Sequence, residues 1–324
     1  MDHRILKGAD VKVSRICLGT MTFGSQVAES EAVKIVHAAL DAGVNFVDTA
    51  DVYNGGESER ITGAALKGKR DGVVLATKVG LAMRGRDEPG RKGLGEKHIM
   101  ASIDESLARL GTDYIDLYYM HAPDYDTPIE ESLAAFDKCI KQGKVKHVGM
   151  SNYASWQLCE ALWQCDRNTY PAPVITQVPY NLITRGIEED LRVFCAKYEI
   201  GFAVYNPLAG GLLTGKHSRT AGPLQHTRLA DNKLYKDRYW KDENLAALAE
   251  LARIAGEAGK TPVELAFQWL AAREFVDSVI IGVSRFEQLE ADLQAWDGPL
   301  DESTLQACDA VWARLRGDYF RHTR

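Results

Sequence analysis

The sequence predicts an α/β fold of the (β/α)₈, or TIM, barrel class, and three observations carry that expectation. Strand-like and helix-like signals alternate along the chain, which argues for βα units around a parallel sheet. Its 324 residues suit one such barrel with added loops, a single domain over residues 1–324. The alternative, an open doubly wound sheet binding a dinucleotide, would usually carry Gly-x-Gly-x-x-Gly near its start. No such fingerprint is present: Gly93-Leu94-Gly95 has His98 where the third glycine belongs.

Arg4 to Leu6 and Val11 to Val13 flank Lys7-Gly8-Ala9-Asp10, so the chain opens with a small hairpin. Ile16 to Gly19 reads as a short buried strand. The first helix spans roughly Glu29 to Ala42, with Ala32, Ile35, Val36 and Ala39 on one face. An apolar strand, Val44 to Val47, leads to Asp48, and a helix near Glu57 to Leu66 follows. The strand Val73 to Lys78 precedes a helix in which Ile99, Ile103, Leu107 and Leu110 repeat at helical spacing. Tyr114 to Met120 forms the strand before His121. Thr127-Pro128-Ile129-Glu130 then reads as a capping box with proline at the first helical position, and Leu133, Phe136 and Ile140 continue that stripe.

Val145 to Met150 is the fifth barrel strand, with a helix from about Ala154. Val174 to Val178 is the sixth, followed by a helix from Glu188 to Tyr198, and Ile200 to Tyr205 is the seventh. Between Asn206 and Trp240 periodicity fails, a length more typical of a functional loop than of an ordinary connection. Helical patterning resumes at Asn244, and Thr261-Pro262-Val263-Glu264 repeats the cap signal. Ser278 to Ile281 is the eighth strand and Phe286 to Leu293 its helix. A C-terminal helix, about Asp301 to Leu315, places Leu305, Cys308, Trp312 and Leu315 on one face.

Hydrophobic residues at 45% and charged residues at 26% describe an ordinary soluble globular protein. The net charge is −6 with no long basic run, so nothing favours a nucleic-acid surface. The start lacks an apolar core of signal-peptide length, and no window approaches the roughly 18 apolar residues of a membrane span. Cys17, Cys139, Cys159, Cys165, Cys195 and Cys308 are scattered without a Cys-x-x-Cys pair. They read as reduced thiols packed in a cytoplasmic protein.

The chemistry concentrates at strand ends. In a barrel the carboxyl ends of the strands converge on one face, where catalysis is found. Asp48, Tyr53, Lys78, His121, Asn152, Gln177 and Tyr205 all lie at or just beyond such ends. A phenol with a pKa near 10 is a poor acid at neutral pH unless a cation lies close. A charged Lys78 beside Tyr53 favours tyrosinate and makes the phenol a better proton donor. Lys78 alone also fits an exposed strand terminus or a Schiff-base lysine. Asp48 argues against the latter, because a nearby anion keeps the ammonium charged. His121 fits a site role or a satisfied structural histidine. No Cys/His cluster or His-Glu-x-x-His motif supports a metal.

Two glycine-containing stretches suit phosphate. Asn206-Pro207-Leu208-Ala209-Gly210-Gly211-Leu212-Leu213-Thr214-Gly215-Lys216 contains Gly-x-x-x-x-Gly-Lys, but His217 stands where a nucleotide-hydrolase P-loop needs Ser or Thr. Its glycines let backbone N–H groups approach a pyrophosphate and Lys216 adds charge; the plainer reading is a flexible tight turn. Gly282-Val283-Ser284-Arg285 opens the last barrel helix, a recurrent phosphate position in barrels. Arg285 there either meets a ribose 2′-phosphate or is simply solvated.

With these residues in place the chain resembles the aldo-keto reductase superfamily over nearly its whole length. The most specific match is the tetrad: Asp48 and Tyr53 within Asp-Thr-Ala-x-x-Tyr, then Lys78, then His121. Gly149-Met150-Ser151-Asn152-Tyr153, Gln177 with Tyr180-Asn181, and Tyr205 to Lys216 support it. His121-Ala122-Pro123-Asp124, Ser151 to Trp156, Tyr235-Lys236-Asp237-Arg238-Tyr239-Trp240 and Asp318-Tyr319-Phe320-Arg321 are most similar to the aflatoxin-aldehyde reductase branch.

The resemblance implies NADPH-dependent reduction of small-molecule aldehydes or ketones by a monomer or homodimer, with NADH as the alternative cofactor. It implies Tyr53 as proton donor, Lys78 lowering its pKa, Asp48 holding Lys78, and His121 orienting the carbonyl. Cofactor contacts would come from Gly19, Thr20, Met21 and Asp48. Ser151, Asn152 and Gln177 would hold the carboxamide, with Tyr205 stacked on the nicotinamide. Asn206, Pro207, Leu208, Ala209, Gly210, Gly211, Leu212 and Lys216 would lie along the pyrophosphate. Arg228, Gly282, Ser284, Arg285, Gln288 and Asp292 would face the adenosine end. Tyr53, His121, Tyr235, Arg238 and Arg321 would line the substrate pocket, the arginines suiting an anionic substrate. Ala291-Asp292 stands where many members carry Glu-Asn, and an acid there opposes a 2′-phosphate. Channel-regulatory β subunits of the same superfamily suggest a second class, a cofactor-binding redox sensor. A barrel aldolase using Lys78 is a third.

Overall fold

The computed structural model describes residues 1–83, 92–217, 222–225 and 227–317. They form two compact units. One comprises Met1–Val178, Glu188–Tyr205 and Phe275–Glu290; the other comprises Pro179–Ile187, Asn206–Glu274 and the chain from Ala291 on.

The first unit opens with the expected hairpin, β1 (His3–Leu6) antiparallel to β2 (Val11–Ser14). Asp10 takes a left-handed φ of 51° in its turn, which aspartate tolerates better than most residues. Eight parallel strands then close a barrel: β3 (Ile16–Gly19), β4 (Phe46–Asp48), β5 (Val74–Val79), β6 (Ile115–Met120), β7 (Val145–Ser151), β8 (Ile175–Pro179), β9 (Gly201–Tyr205) and β10 (Ser278–Gly282). β10 pairs with β3, Ile280 opposite Cys17, which completes the ring. Strand limits depart from the sequence reading by at most two residues, because strand ends fray where the ladder stops.

Five helices alternate with these strands as expected: α1 (Glu29–Asp41), α2 (Glu57–Leu66), α3 (Glu96–Leu110), α4 (Ile129–Lys141) and α5 (Ser155–Asn168). The sixth, α6 (Leu191–Lys197), is shorter than expected, because Gly186–Glu188 forms a separate 3₁₀ turn. At α4 the expected capping box does not form. Pro128 is itself the N-cap, without a side-chain cap, and Thr127 gives its hydroxyl and N–H to the Asp124 carboxylate instead.

The barrel interior is filled in layers. Cys17, Phe46, Ala76, Leu117, Tyr119, Ile175, Ala203 and Ile280 pack into one buried cluster, joined by Leu6 and Val13 from the hairpin. Small and large residues alternate for a steric reason. A Cβ on Gly149 would stand 2.4 Å from the Tyr119 ring, so the bulk of Tyr119 on β6 requires glycine on β7.

In the second unit the aperiodic stretch after β9 contains a 3₁₀ turn, Ala209–Thr214, and two short helices, α7 (Arg228–Asp231) and α8 (Lys233–Tyr239). It is a looped segment with local helical turns rather than a structureless connection. α9 (Asp242–Glu257) and α10 (Pro262–Ala271) follow. α10 carries the expected box: Glu264 N–H donates to Thr261 Oγ1 at 3.2 Å and Thr261 N–H to Glu264 Oε2 at 2.7 Å. α11 (Phe286–Trp296) comes after β10, and α12 (Glu302–Arg316) closes the described chain. The buried line of α12 is Thr304, Cys308 and Val311, with Leu305, Trp312 and Leu315 only half-buried, so its face is rotated from the expected one.

All six cysteines are unpaired, and Cys159 alone of them is exposed. Among the described residues no helix is long and apolar enough to cross a membrane.

Candidate active site

Strand periodicity builds the site. Successive side chains of a strand face opposite sides, so a residue two positions beyond an interior residue also faces inward. Asp48 lies two beyond Phe46, Lys78 two beyond Ala76, and His121 two beyond Tyr119. Gln177 lies two beyond Ile175 and Tyr205 two beyond Ala203. The layer above the apolar core is therefore polar, and it sits at the carboxyl ends of the strands.

Asp48, Lys78, Gln177 and His121 are all buried there, Lys78 completely. Lys78 Nζ donates to Asp48 Oδ1 at 2.5 Å, to the Thr49 carbonyl at 2.7 Å and to the Tyr53 hydroxyl at 3.3 Å. An ammonium has three hydrogens, and all three are engaged. Burial alone would push this group down, but Asp48 and then Tyr53 more than reverse it, so Lys78 stands above its ordinary value. A group held as a cation lacks the free lone pair a Schiff-base nucleophile needs, which argues against that reading. Gln177 Nε2 donates to the second oxygen of Asp48 at 2.9 Å, so both carboxylate oxygens are occupied.

Tyr53 reaches this cluster because of the turn that carries it. It begins a 3₁₀ turn, Tyr53–Gly56, in which Asn54, Gly55 and Gly56 all have positive φ. Asparagine and glycine are the residue types that accept that backbone. Asn54 Nδ2 also donates to the carbonyls of Met21, at 2.9 Å, and Phe23, at 2.7 Å, which ties the turn to the segment after β3. The rings of Tyr53 and His121 meet edge to face with centroids 5.9 Å apart. Burial, and then the Lys78 ammonium, pushes the His121 imidazole well below its ordinary value, so the ring is neutral. Its Nδ1 is buried without a hydrogen-bond partner among the described residues.

Along the rim from β7 to β9 the polar groups bond to one another. Ser151 Oγ donates to the Gln177 carbonyl at 2.9 Å; Asn152 Nδ2 donates to the His121 carbonyl at 2.9 Å and to Ser151 Oγ at 3.0 Å. The Tyr205 hydroxyl donates to Asn152 Oδ1 at 2.7 Å. Asn152 has a φ of 67°, a backbone that favours asparagine here. Across β3, Gly19 is opposite both Asp48 and Gly282, and Thr20 N–H donates to the Asp48 carbonyl at 2.9 Å. Met21 is exposed.

After β10 the expected phosphate donors are engaged within the protein. Ser284 N–H and its hydroxyl both donate to Gln288 Oε1, at 2.8 and 2.9 Å, and Phe286 N–H donates to Glu31 Oε1 at 3.1 Å. Arg285 is exposed. On α11 the Asp292 carboxyl is pushed up to about 7 by burial.

Within the second unit, Ala209, Gly210, Gly211 and Gly215 all have positive φ, so the segment from Asn206 to Lys216 is a run of tight turns. A Cβ on Gly211 would lie 3.7 Å from Lys216 Nζ, placing the ammonium beside that turn. A Cβ on Gly210 would meet the Tyr235 ring at 2.6 Å. The Tyr235 hydroxyl donates to Asn206 Oδ1 at 3.4 Å, and Asn206 Nδ2 donates to the Tyr239 hydroxyl at 3.3 Å. The guanidinium carbons of Arg228 and Arg238 lie 5.2 and 5.9 Å from the centre of the Tyr235 ring. Two arginines expected at different ends of the ligand thus flank one aromatic side chain. Pro207, Leu208 and Leu212 belong to the same segment; Arg321 lies outside the described residues.

Three groups near the tetrad were not singled out from the sequence. The Thr49 carbonyl completes the Lys78 shell, and a backbone acceptor leaves no residue-type signal. Asp51 and Glu59 are buried carboxyls, 3% and 0% exposed, the second paired with Arg109 at 2.7 Å. The one available hint was an acid inside the motif itself, at Asp51.

The model of the aldo/keto reductase family matches residues 15–313. The chain is 35% identical over 303 residues to a probable voltage-gated potassium channel subunit beta of Arabidopsis thaliana, covering 92% of each chain. It is 34% identical over 339 residues to aflatoxin B1 aldehyde reductase member 2 of Rattus norvegicus, covering 98% of this chain and 90% of that one. It is also 32% identical over 327 residues to the uncharacterized oxidoreductase YrpG of Bacillus subtilis, covering 98% of both. With a closed eight-stranded barrel and a family match over most of its length, the chain belongs to the aldo/keto reductase family.

Proposed function

We propose that this protein is an NADPH-dependent reductase of aldehydes or ketones, with Tyr53 as the proton donor. Family membership supports an oxidoreductase, and the observation that carries the finer reading is Lys78 Nζ held between Asp48 Oδ1 and the Tyr53 hydroxyl. The residues present suit a nicotinamide dinucleotide. Ser151, Asn152 and Gln177 supply amide and hydroxyl partners for a carboxamide, and Tyr205 supplies an aromatic face beside them. The turn at Gly211, open for want of a Cβ and next to Lys216, suits a diphosphate.

When bound, the cofactor supplies the hydride. Tyr53 gives its hydroxyl proton to the carbonyl oxygen, and the phenolate left behind is stabilised by the Lys78 ammonium. Asp48 keeps that ammonium charged and fixed. His121, neutral, offers an N–H to the same carbonyl oxygen and holds it near the phenol. Asp292 with a carboxyl near 7 is partly protonated around neutrality, which lessens its repulsion of a 2′-phosphate and leaves NADPH admissible beside NADH. In the second unit, Arg238 beside Tyr235 supplies a guanidinium, a group that pairs with a carboxylate in two-pronged fashion.

The test is oxidation of NADPH and NADH, side by side, over a panel of aldehydes, ketones, keto sugars and semialdehydes. Tyr53→Phe should lower turnover by about 10²–10⁴-fold, the usual contribution of general-acid catalysis, while cofactor binding stays within about two-fold. Reduction by Tyr53→Phe at the parent rate would end the assignment. The match to a probable potassium channel subunit beta favours a second reading, a redox-sensing subunit. That protein would bind NADPH tightly, seen as quenched tryptophan fluorescence, with negligible turnover over the whole panel. The complete tetrad favours the enzyme.

A further inference from the structure

Exposed apolar side chains gather on one part of the first unit. Among the described residues Trp156 and Trp163 are the two exposed tryptophans, 63% and 56% open, and both project from α5. Val193 and Tyr198 are exposed on and just after α6. Ser155 gives its hydroxyl to the Asp190 carboxylate, which joins the starts of α5 and α6. Tyr125 is exposed beside the start of α5, where Gln157 Nε2 donates to its hydroxyl at 3.5 Å. These five are nearly half of the eleven large hydrophobic side chains exposed among the described residues, so the apolar surface is gathered rather than scattered.

Helix geometry lines the tryptophans up. Seven residues make nearly two full turns, so Trp156 and Trp163 share one side of α5, about 10 Å apart along its axis. Cys159 and Glu160, both exposed, lie between them on that side, while Gln157, Leu158, Ala161 and Cys165 are buried on the other. From Trp156 to Trp163 the helix carries a single charge, Glu160, and Arg167 stacks over the Trp163 ring at 4.9 Å. Aromatic rings with an arginine and few other charges make the composition of an interface core rather than of a solvated helix face. At roughly 150–250 Å² per aromatic side chain, the open parts of the four rings, with Val193, offer on the order of 500 Å². A stable interface covers about 800 Å² on each partner, the remainder being polar rim.

We propose that this face joins two copies of the chain in a two-fold symmetric dimer, α5 packing antiparallel against the partner's α5. The occupant follows from the spacing. Trp156-Gln157-Leu158-Cys159-Glu160-Ala161-Leu162-Trp163 begins and ends on tryptophan, so an axis between Cys159 and Glu160 lays Trp156 on the partner's Trp163, twice. A two-fold interface must be self-complementary in this way, whereas an unrelated partner would need no such symmetry. The two Cys159 side chains then flank the axis. With helix axes roughly 8–10 Å apart, their Cα atoms stand on the order of 6 Å from one another, a span that a disulfide bridges. Glu160 also stands near the axis; being exposed, it turns its carboxylate to solvent at little cost.

The experiment is sedimentation equilibrium of the full chain over a range of concentrations, parent against the double variant Trp156→Glu/Trp163→Glu. The parent should be a dimer and the double variant a monomer. Trp156→Ala alone should raise the dimer Kd by roughly 10³-fold, because truncating a central tryptophan costs about 30-fold and a two-fold interface loses two. Oxidation with copper-phenanthroline should link two parent chains through Cys159, the one exposed cysteine, and leave Cys159→Ser unlinked. Linking by random collision would persist in the double tryptophan variant; linking at the proposed axis is lost with it. Circular dichroism checks that the double variant is folded, and Trp156→Ser/Trp163→Ser takes its place if it is not. A parent that stays monomeric up to its solubility limit, an assembly that the folded double variant leaves intact, or a Cys159 link indifferent to the tryptophans overturns the proposal. The measurement needs neither cofactor nor turnover, so its outcome is independent of the enzymatic reading.

Discussion

Replacing Lys78 by Met should unmask the cost of the charge it neutralises. Methionine keeps the fully buried stem but removes three hydrogen bonds, to Asp48, Thr49 and Tyr53. Asp48, its side chain 4% exposed, is left with one neutral side-chain donor, Gln177 Nε2 at 2.9 Å. Removing one partner of a buried ion pair costs about 3–5 kcal/mol, because the other charge stays buried and uncompensated. At about 2.1 cal/mol/K per residue, unfolding of a chain of 324 residues has an entropy of ~0.7 kcal/mol/K. The melting temperature should therefore fall by about 4–7 °C. Adding Asp48→Asn to Lys78→Met removes the stranded charge and retains an acceptor for Gln177, so at least half of the loss should return. Calorimetry of the parent, Lys78→Met and the double variant at pH 7, without cofactor, measures all three. A single variant within about 1 °C of the parent, or a double variant less stable than the single, would refute the buried-pair reasoning.

Two further expectations concern pH. His121 is neutral in the fold but titrates near 6.5 once unfolded, so below that pH the unfolded chain binds a proton the folded chain excludes. Its contribution is lost as pH falls, at up to about 1.4 kcal/mol per pH unit. The drop in urea midpoint between pH 7.5 and 5.5 should be smaller in His121→Gln, and an equal drop would contradict the neutral ring. Asp292, with its carboxyl near 7, should weaken NADPH binding as it ionises, and Asp292→Asn should flatten the rise of NADPH Kd between pH 6 and 8 while leaving NADH nearly unchanged. Parallel NADPH curves for parent and variant would remove Asp292 from the phosphate end.

The barrel was legible because its evidence is local. A buried strand announces itself by a short apolar run, and each helix by a repeating stripe, so eight strands and most helices fall within a residue or two of their expected places. The failures also have local causes. Thr127-Pro128-Ile129-Glu130 has the letters of a capping box, yet its threonine hydroxyl goes to Asp124, a competitor three residues upstream. Thr261 instead bonds reciprocally with Glu264, and there the same letters form the box. In α12 the large residues Trp312 and Leu315 suggested the buried face, but the smaller Thr304, Cys308 and Val311 occupy it. Size signals what burial would gain, whereas the neighbouring surface decides which face fits.

The tetrad was legible for a different reason: strand ends in a barrel converge whatever the sequence separation, so position along a strand stands in for position in space. The same logic, taken two residues at a time, assigns Asp48, Lys78, His121, Gln177 and Tyr205 to the layer above Phe46, Ala76, Tyr119, Ile175 and Ala203. It cannot assign Glu59 or Arg109, which sit on helices: Glu59 accepts from Thr77 on the outward side of β5 and pairs with Arg109. Lys78 and Thr77 are adjacent residues facing opposite ways, one into the barrel towards Asp48, the other out towards a second buried acid. Each face of β5 thus carries a buried carboxylate with its own cation, Lys78 within and Arg109 without. Asp51, on the loop that leaves β4, sits near both charge pairs and is matched to neither. That imbalance leaves its buried carboxyl, pushed up by burial and then by the Glu59 charge, with an Oδ1 that has no hydrogen-bond partner among the described residues.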